Sequence, residues 1–241
     1  MPIRLAKYTD IPAIAHVCAK SFYDDELFGD MMHPFRAEYP EDYEQFYVRR
    51  FRENWYDWSH VIWVATTCDK EGKVIVAGVA EWELMGRAGK GREYRKLGGW
   101  NPGMAFPNLG SSHSSALSTN RAANPDPSLR NPFPTAHDLT IHHWTGARAN
   151  SYYLDLLAIH PDYQGGGLAK ELVQWGLDRA EEEGVSASVV SSVPGRGFYK
   201  RMGFDKEVGR CGEGTENPLG RLEGGWILFR DAKTGEGGTD E

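Results

Sequence analysis

Two spacings of apolar residues alternate along this chain: every third or fourth position, as on one face of a helix, and alternating or unbroken runs, as in strands. Ile3 to Tyr8 predicts a short strand. Asp10 stands where a helix cap would, Pro12 lies in the first turn, and Ile11, Ile14, Ala15, Val17, Cys18 and Phe22 supply an apolar face. Tyr23 to Pro40 is acidic and aromatic and predicts a loop with a short helical turn. A second helix is expected from Glu41 to Trp58, where Tyr43, Tyr47, Phe51 and Trp55 recur every fourth residue. That stripe reads first as core packing and second as the wall of a pocket. His60 to Thr66 and Lys73 to Leu84 predict strands, joined through Asp69-Lys70-Glu71-Gly72 into an antiparallel hairpin.

The pattern then breaks. From Met85 to Ala149 the chain is rich in Gly, Ser, Asn and Pro, shows little periodicity and is too polar for a core of its own. Such a stretch inside a domain implies a lid, a partner-binding insertion or disorder. Beyond it, Tyr152 to Ile159 predicts a buried strand, Gly167 to Glu183 a helix stopped by Gly184, and Ser186 to Val193 another strand. A short helix around Phe198 to Met202 and a last strand from Gly224 to Arg230 follow. Residues 231–241 predict a disordered tail. Strands in a meander first, and a single strand-helix-strand crossover late, give a mixed α/β (α+β) sheet rather than a repeating βαβ array. Residues 1–230 are expected to form one domain, with 85–149 an irregular insertion within it.

Composition narrows the function classes. The 241 residues can bury a substantial core. The formal net charge is −7 and Lys and Arg form no long run, which argues against nucleic acid and fits a neutral or cationic ligand. Cys18, Cys68 and Cys211 are too few and too scattered for a disulfide framework or a zinc spacing. No apolar leader pattern follows Met1, and no run approaches the roughly 18 apolar residues of a membrane span. The expectation is a soluble, cytoplasmic protein without a membrane partner; monomer and homodimer both stay open.

The chemistry concentrates in Leu157 to Ala169, LAIHPDYQGGGLA. A buried strand ends at Ile159, and Gln164-Gly165-Gly166-Gly167 leads straight into a helix. Glycines let backbone N–H groups approach an anion, and the helix N-terminus adds unpaired N–H groups and the positive end of its dipole. A phosphate or pyrophosphate suits such a turn better than a purely geometric role does. A Walker loop fails because Gly167 is followed by Leu168-Ala169-Lys170, and a dinucleotide fingerprint fails because Lys170 stands where a third small residue is needed.

Gln164-Gly165-Gly166-Gly167-Leu168-Ala169 resembles the Gln/Arg-x-x-Gly-x-Gly/Ala signature of the GCN5-related N-acetyltransferase (GNAT) superfamily, and GFYKRMGF resembles that family's Phe-Tyr-x-x-x-Gly-Phe element. The resemblance covers Ser151 to Phe204, and it implies a central, mostly antiparallel mixed sheet flanked by helices. It also implies acetyl-CoA as acetyl donor. The backbone of Leu157, Ala158 and Ile159 would pair with the pantetheine amides. The amides from Gln164 to Ala169, Gly165, Gly166, Gly167 and Leu168 included, would hold the pyrophosphate. Tyr199 falls where the family often places a phenol near the sulfur, where it would protonate the leaving thiolate; the other reading of Tyr199 is a core aromatic. Two positions depart from the family: Ser192 stands where Asn is common, with shorter reach to the cofactor, and Gly195 where Ala is common.

Direct transfer needs a neutral amine, so something must take its proton. Asp155 is one candidate, sharing strand parity with Tyr153, Leu157 and Ile159 in an otherwise apolar run. It reads equally as a structural acid, paired with Arg or capping backbone amides. Glu81 and Glu83 share a face of the preceding strand, with Glu83 the more easily explained by solvent. His137, Asp138, His142 and His143 show no zinc-like spacing and read as surface loop, so no metal is expected. The implied reaction is acetyl transfer to a primary amine of a small molecule. Alternatives are protein lysines or N-termini, a non-catalytic acyl-CoA-binding module, and a nucleotide-binding protein.

Overall fold

A computed structural model of the protein describes residues 3–86 and 120–233. Its strands are β1 (Ile3–Leu5), β2 (His60–Cys68), β3 (Val74–Met85), β4 (Ser151–Ile159), β5 (Ser186–Ser191), β6 (Lys206–Arg210) and β7 (Trp226–Arg230). They form one seven-stranded sheet in the order β1-β2-β3-β4-β5-β7-β6. Every pairing is antiparallel except β4 with β5, as a single late crossover requires. The helices are α1 (Ile11–Ser21), α2 (Pro40–Asn54), α3 (Pro127–Arg130), α4 (Phe133–Thr140), α5 (Leu168–Glu182) and α6 (Arg196–Arg201). Among the described residues no helix is long and apolar enough to cross a membrane.

The sheet separates two cores. On one face Trp82, Leu84, Tyr152, Leu154 and Val189 pack under α5, with Phe204 and Tyr199 beside them. On the other, Ile62, Val64, Leu156 and Ala158 meet Ile14, Cys18, Tyr43, Tyr47 and Phe51 of α1 and α2. The aromatic stripe of α2 is therefore core: Tyr47 and Phe51 are fully buried. Helix α5 approaches the sheet through Gly176. A Cβ there would lie 2.3 Å from the Trp82 ring, so the indole fills the space a side chain would take.

Strand β4 contains a bulge. Glu81 stands opposite Leu156 and Trp82 opposite Leu154, leaving Asp155 without a partner in the β3 register. One extra residue exchanges the faces, so Tyr152 and Leu154 point to the α5 core while Leu156 and Ala158 point to the α2 core. The parity expected for Asp155 holds with Tyr153 and fails with Leu157 and Ile159, which pack on the α5 side.

Other differences are local. Asp10 precedes α1 but does not cap it; its carboxylate pairs with Arg4 at 2.6 Å and accepts the Lys7 N–H at 2.7 Å. Within 85–149, the stretch from 127 to 148 carries α3, α4 and two 3-10 turns, Ile141–Trp144 and Gly146–Arg148. Asp126 caps α3 by accepting the Ser128 N–H at 2.9 Å, but the helices are too short to imprint a period on the sequence. Of the aromatic residues of this insertion that could wall a pocket, Phe133 and Trp144 are described, while Trp100 and Phe106 lie outside the described residues. At the C-terminal side, Asp231 accepts from Arg148 at 2.7 Å; residues 234–241 of the expected tail lie outside the described set.

Candidate active site

β4 runs to Ile159, yet it pairs with β5 only from Ser151–Ser186 to Leu154–Val189. Past that point the strands part. Leu157, Ala158 and Ile159 stay in register with β3 on one side, and their β5 side is a gap in the sheet. At the end of β4 the Gln164 side chain donates to the Ile159 carbonyl at 3.1 Å, and Gly165, Gly166 and Gly167 turn the chain into α5. Gly167 occupies the N-cap at φ +87°, a left-handed conformation that favours glycine, and no side chain caps the helix. The first-turn N–H groups of Leu168 and Ala169 are thus left for an anion.

Tyr199 is buried on α6, edge-on to Phe198 at 5.2 Å and to Phe204 at 5.8 Å. Burial raises its phenol pKa, which keeps the proton on oxygen. Gly195 sits between Tyr199 and Ser192: a Cβ there would come within 3.0 Å of the ring and 3.3 Å of Ser192 Oγ. Ser192 itself is exposed, just past the end of β5. Tyr199 belongs to the α5 side of the sheet. Asp155 does not, because its carboxylate contacts Arg50 of α2 on the opposite face. Tyr199 and Asp155 therefore lie on opposite faces of the sheet.

On the α2 face a compact ionic cluster forms. Arg50 Nη2 bridges Asp155 and Glu81, the latter at 3.1 Å. Asn54 donates to Glu81 at 2.7 Å, and His60 Nδ1 lies 3.2 Å from the same carboxylate. The Glu81 side chain is wholly buried, whereas that of Asp155 keeps 22% of its exposure. Burial works to raise the Glu81 pKa, but Arg50, His60 and Asn54 outweigh it and hold the group at about 2. Asp155 moves the other way: burial raises it, the Arg50 charge opposes and the Glu81 charge adds to the rise. Glu83, half-buried on the same strand as Glu81, is also raised by burial. Three acids stand against two bases, which suits a cation.

Burial pushes His60 down, yet the Glu81 carboxylate more than reverses that and lifts it to about 9. The folded pKa thus exceeds that of a free imidazole, about 6.5. Its stabilising contribution is complete below about pH 6.5 and lost as pH rises through about 9. In urea unfolding, the stability gap between wild type and His60→Gln should narrow steadily over that window. A gap independent of pH would refute the pairing.

α4 and the turn after it wall this face. Trp144 packs edge-on against Tyr153 at 5.8 Å and donates to Ser188 Oγ at 2.9 Å, while Phe133 meets Phe28 at 6.0 Å. Phe28 belongs to a π-helical turn, Glu26–Met31, within the loop predicted between α1 and α2. Sequence reasoning missed Arg50, Asn54 and His60. For Arg50 a signal existed: it falls three residues after Tyr47 and seven after Tyr43, on the buried stripe itself, where a cation demands a buried acid.

The acetyltransferase (GNAT) family profile matches residues 130–204, which span α4, β4, the glycine turn, α5, β5 and α6. An acetyltransferase of Stachybotrys chartarum is 23% identical over 208 residues, covering 84% of this chain and 80% of that protein. Among solved structures, the histone acetyltransferase HPA2 and related acetyltransferase from Corynebacterium glutamicum aligns with a TM-score of 0.58 at 15% identity, over 98% of each chain. Arylalkylamine N-acetyltransferase 2 from Aedes aegypti aligns with a TM-score of 0.54 at 14% identity, over 95% of this chain and 98% of that one. The profile falls on the strand, turn and helix that frame the gap, and the sheet around them follows the same plan, so that over residues 130–204 the chain is similar to the acetyltransferase (GNAT) family.

Proposed function

We propose that the protein transfers the acetyl group of acetyl-CoA directly to a primary amine of a small molecule. The parting of β4 from β5, with an uncapped helix N-terminus at its end and an acidic cluster on its far face, carries this reading. Backbone groups of Leu157, Ala158 and Ile159 pair with the pantetheine arm as an added strand would. The amides from Gln164 to Ala169 hold the pyrophosphate, and Ser192 Oγ meets the cofactor across the gap. Asp155, raised in pKa and partly exposed, takes a proton from the bound ammonium; Glu81, fixed as a carboxylate, holds Arg50 and His60 in place. The freed amine attacks the thioester carbonyl, the C–S bond breaks and Tyr199 gives its proton to the thiolate, while the amide nitrogen sheds its extra proton to solvent, from which the Tyr199 oxygen is reprotonated.

Phe133 and Trp144 support a small acceptor, since they wall the acidic face where an extended peptide would otherwise lie. The two solved relatives carry names that point both ways, one to histones and one to arylalkylamines.

The test is thiol release from acetyl-CoA with an aralkylamine, a polyamine and a lysine peptide as acceptors. Turnover is expected with a free amine and not with the peptide. Tyr199→Phe should lower kcat by about 100-fold, the low end for general acid catalysis, with little change in the KM for acetyl-CoA. Wild-type kcat in that variant removes the tyrosine from the mechanism, and preference for the peptide reassigns the acceptor.

A further inference from the structure

Away from the gap, His142, His143 and Glu213 bring three ligand atoms within 4.8 Å of one another. Both histidines lie on the 3-10 turn Ile141–Trp144, and Glu213 follows β6, 70 residues beyond His143. Linear spacing gives no hint of the group, because the β6 end and the turn meet only in the fold. Gly209 makes room for it: a Cβ there would lie 2.6 Å from both Glu213 Oε2 and His143 Nε2.

Protons decide what the group can hold. His142 Nδ1 lies 3.1 Å from the Leu139 carbonyl, which can only accept, so Nδ1 carries a proton. In the neutral ring Nε2 then presents a lone pair, and it faces Glu213 Oε1 at 3.4 Å. His143 Nε2 contacts the same oxygen. A carboxylate has no proton to give, so this 3.4 Å approach is bridged either by a second proton on the His142 ring or by a bound cation. Meanwhile Glu213 Oε2 accepts the Arg210 N–H at 3.2 Å, which fixes the carboxylate's orientation. An imidazole anchored through its outer N–H and a carboxylate anchored by a backbone amide are the usual supports of metal ligands.

We propose that His142 Nε2, His143 Nε2 and Glu213 Oε1 bind one zinc ion. Bond lengths of about 2.0–2.2 Å in a tetrahedral site set ligand atoms about 3.3 Å apart, and the His142–Glu213 separation already matches. The closer His143–Glu213 contact opens on binding through a side-chain adjustment. Water completes the fourth position. The ion is structural: it ties the turn that presents Trp144 to the end of β6, and so fixes the wall over Tyr153. This assignment stands apart from the acyl-transfer reading.

The experiment titrates ZnCl2 calorimetrically into the full chain after chelator treatment, and repeats the titration with CoCl2, whose visible absorption reports a tetrahedral ligand set. One equivalent should bind with a micromolar or tighter Kd. His142→Ala, His143→Ala and Glu213→Gln should each weaken binding at least about 10-fold, and Cys68→Ser, at an exposed thiol elsewhere, should not. His142 is 63% exposed, so its alanine variant should keep the wild-type circular dichroism spectrum. The proposal is overturned if the wild type takes up no zinc at millimolar concentration. It is overturned equally if full affinity survives His142→Ala or is lost in Cys68→Ser.

Discussion

Replacing Gly167 by aspartate is expected to abolish acetyl-CoA binding while leaving the protein folded. Position 167 is the uncapped N-cap of α5 at φ +87°. Aspartate tolerates the left-handed region better than most residues, and its carboxylate is a preferred helix cap. The new side chain would therefore accept the first-turn N–H groups itself and set a negative charge against the pyrophosphate. Losing about two charge-assisted hydrogen bonds at 1.5–3 kcal/mol each corresponds to at least a 100-fold rise in Kd. Gly167→Ala separates the causes, since it carries the backbone strain, about 1–2 kcal/mol, without the charge. Calorimetric titration with acetyl-CoA reads the difference; an unchanged Kd in Gly167→Asp would remove the glycine turn from the binding site.

Arg50→Met should have the largest effect on stability. The side chain is 17% exposed and answers two carboxylates, one of them wholly buried. Removing one member of a buried ion pair costs about 3–5 kcal/mol, because the remaining charge stays in a medium that cannot solvate it. Arg50→Lys should recover part of that loss, since an ammonium supplies charge but lacks the planar fork that spans two acids. Both are measurable by urea unfolding at pH 7. A loss under about 1 kcal/mol in Arg50→Met would mean that solvent reaches the cluster and that Glu81 is not held as the structure implies.

How much of this was legible in the sequence depends on how local each feature is. Gln164 to Gly167 announced itself, because left-handed glycines and a helix N-terminus are properties of adjacent residues. Asp155 was visible as an acid in an apolar strand, and a link to an arginine was one of the readings left open, beside a catalytic base and a cap on backbone amides. Its face was misjudged in part, because a bulge is fixed by pairing with β3 and leaves no mark on the strand's own pattern. β6 was missed altogether: Lys206-Glu207-Val208-Gly209-Arg210 has no apolar alternation and owes its conformation to pairing with β7 at the sheet edge. Helices α3 and α4 were hidden by brevity, although Asp126-Pro127 is a cap followed by a first-turn proline. Arg50 was the most recoverable omission, since its place on the buried stripe already called for a partner.

The packing of Trp82 against Gly176 limits the order in which this sequence can change. The indole and the missing Cβ are one volume divided between two distant positions, so neither can be altered for free. Alanine at 176 meets the ring before it meets anything else. A smaller residue at 82 leaves a void in the centre of the α5 core, and cavities there cost several kcal/mol. Substitutions in such contact are coupled, and the cost of one depends on whether the other has occurred. Homologous lineages should therefore carry a large residue at 82 with glycine at 176, or a smaller one at 82 with alanine at 176, and seldom the mixed pairs. Drift away from glycine at 176 stays closed until position 82 has given up its indole.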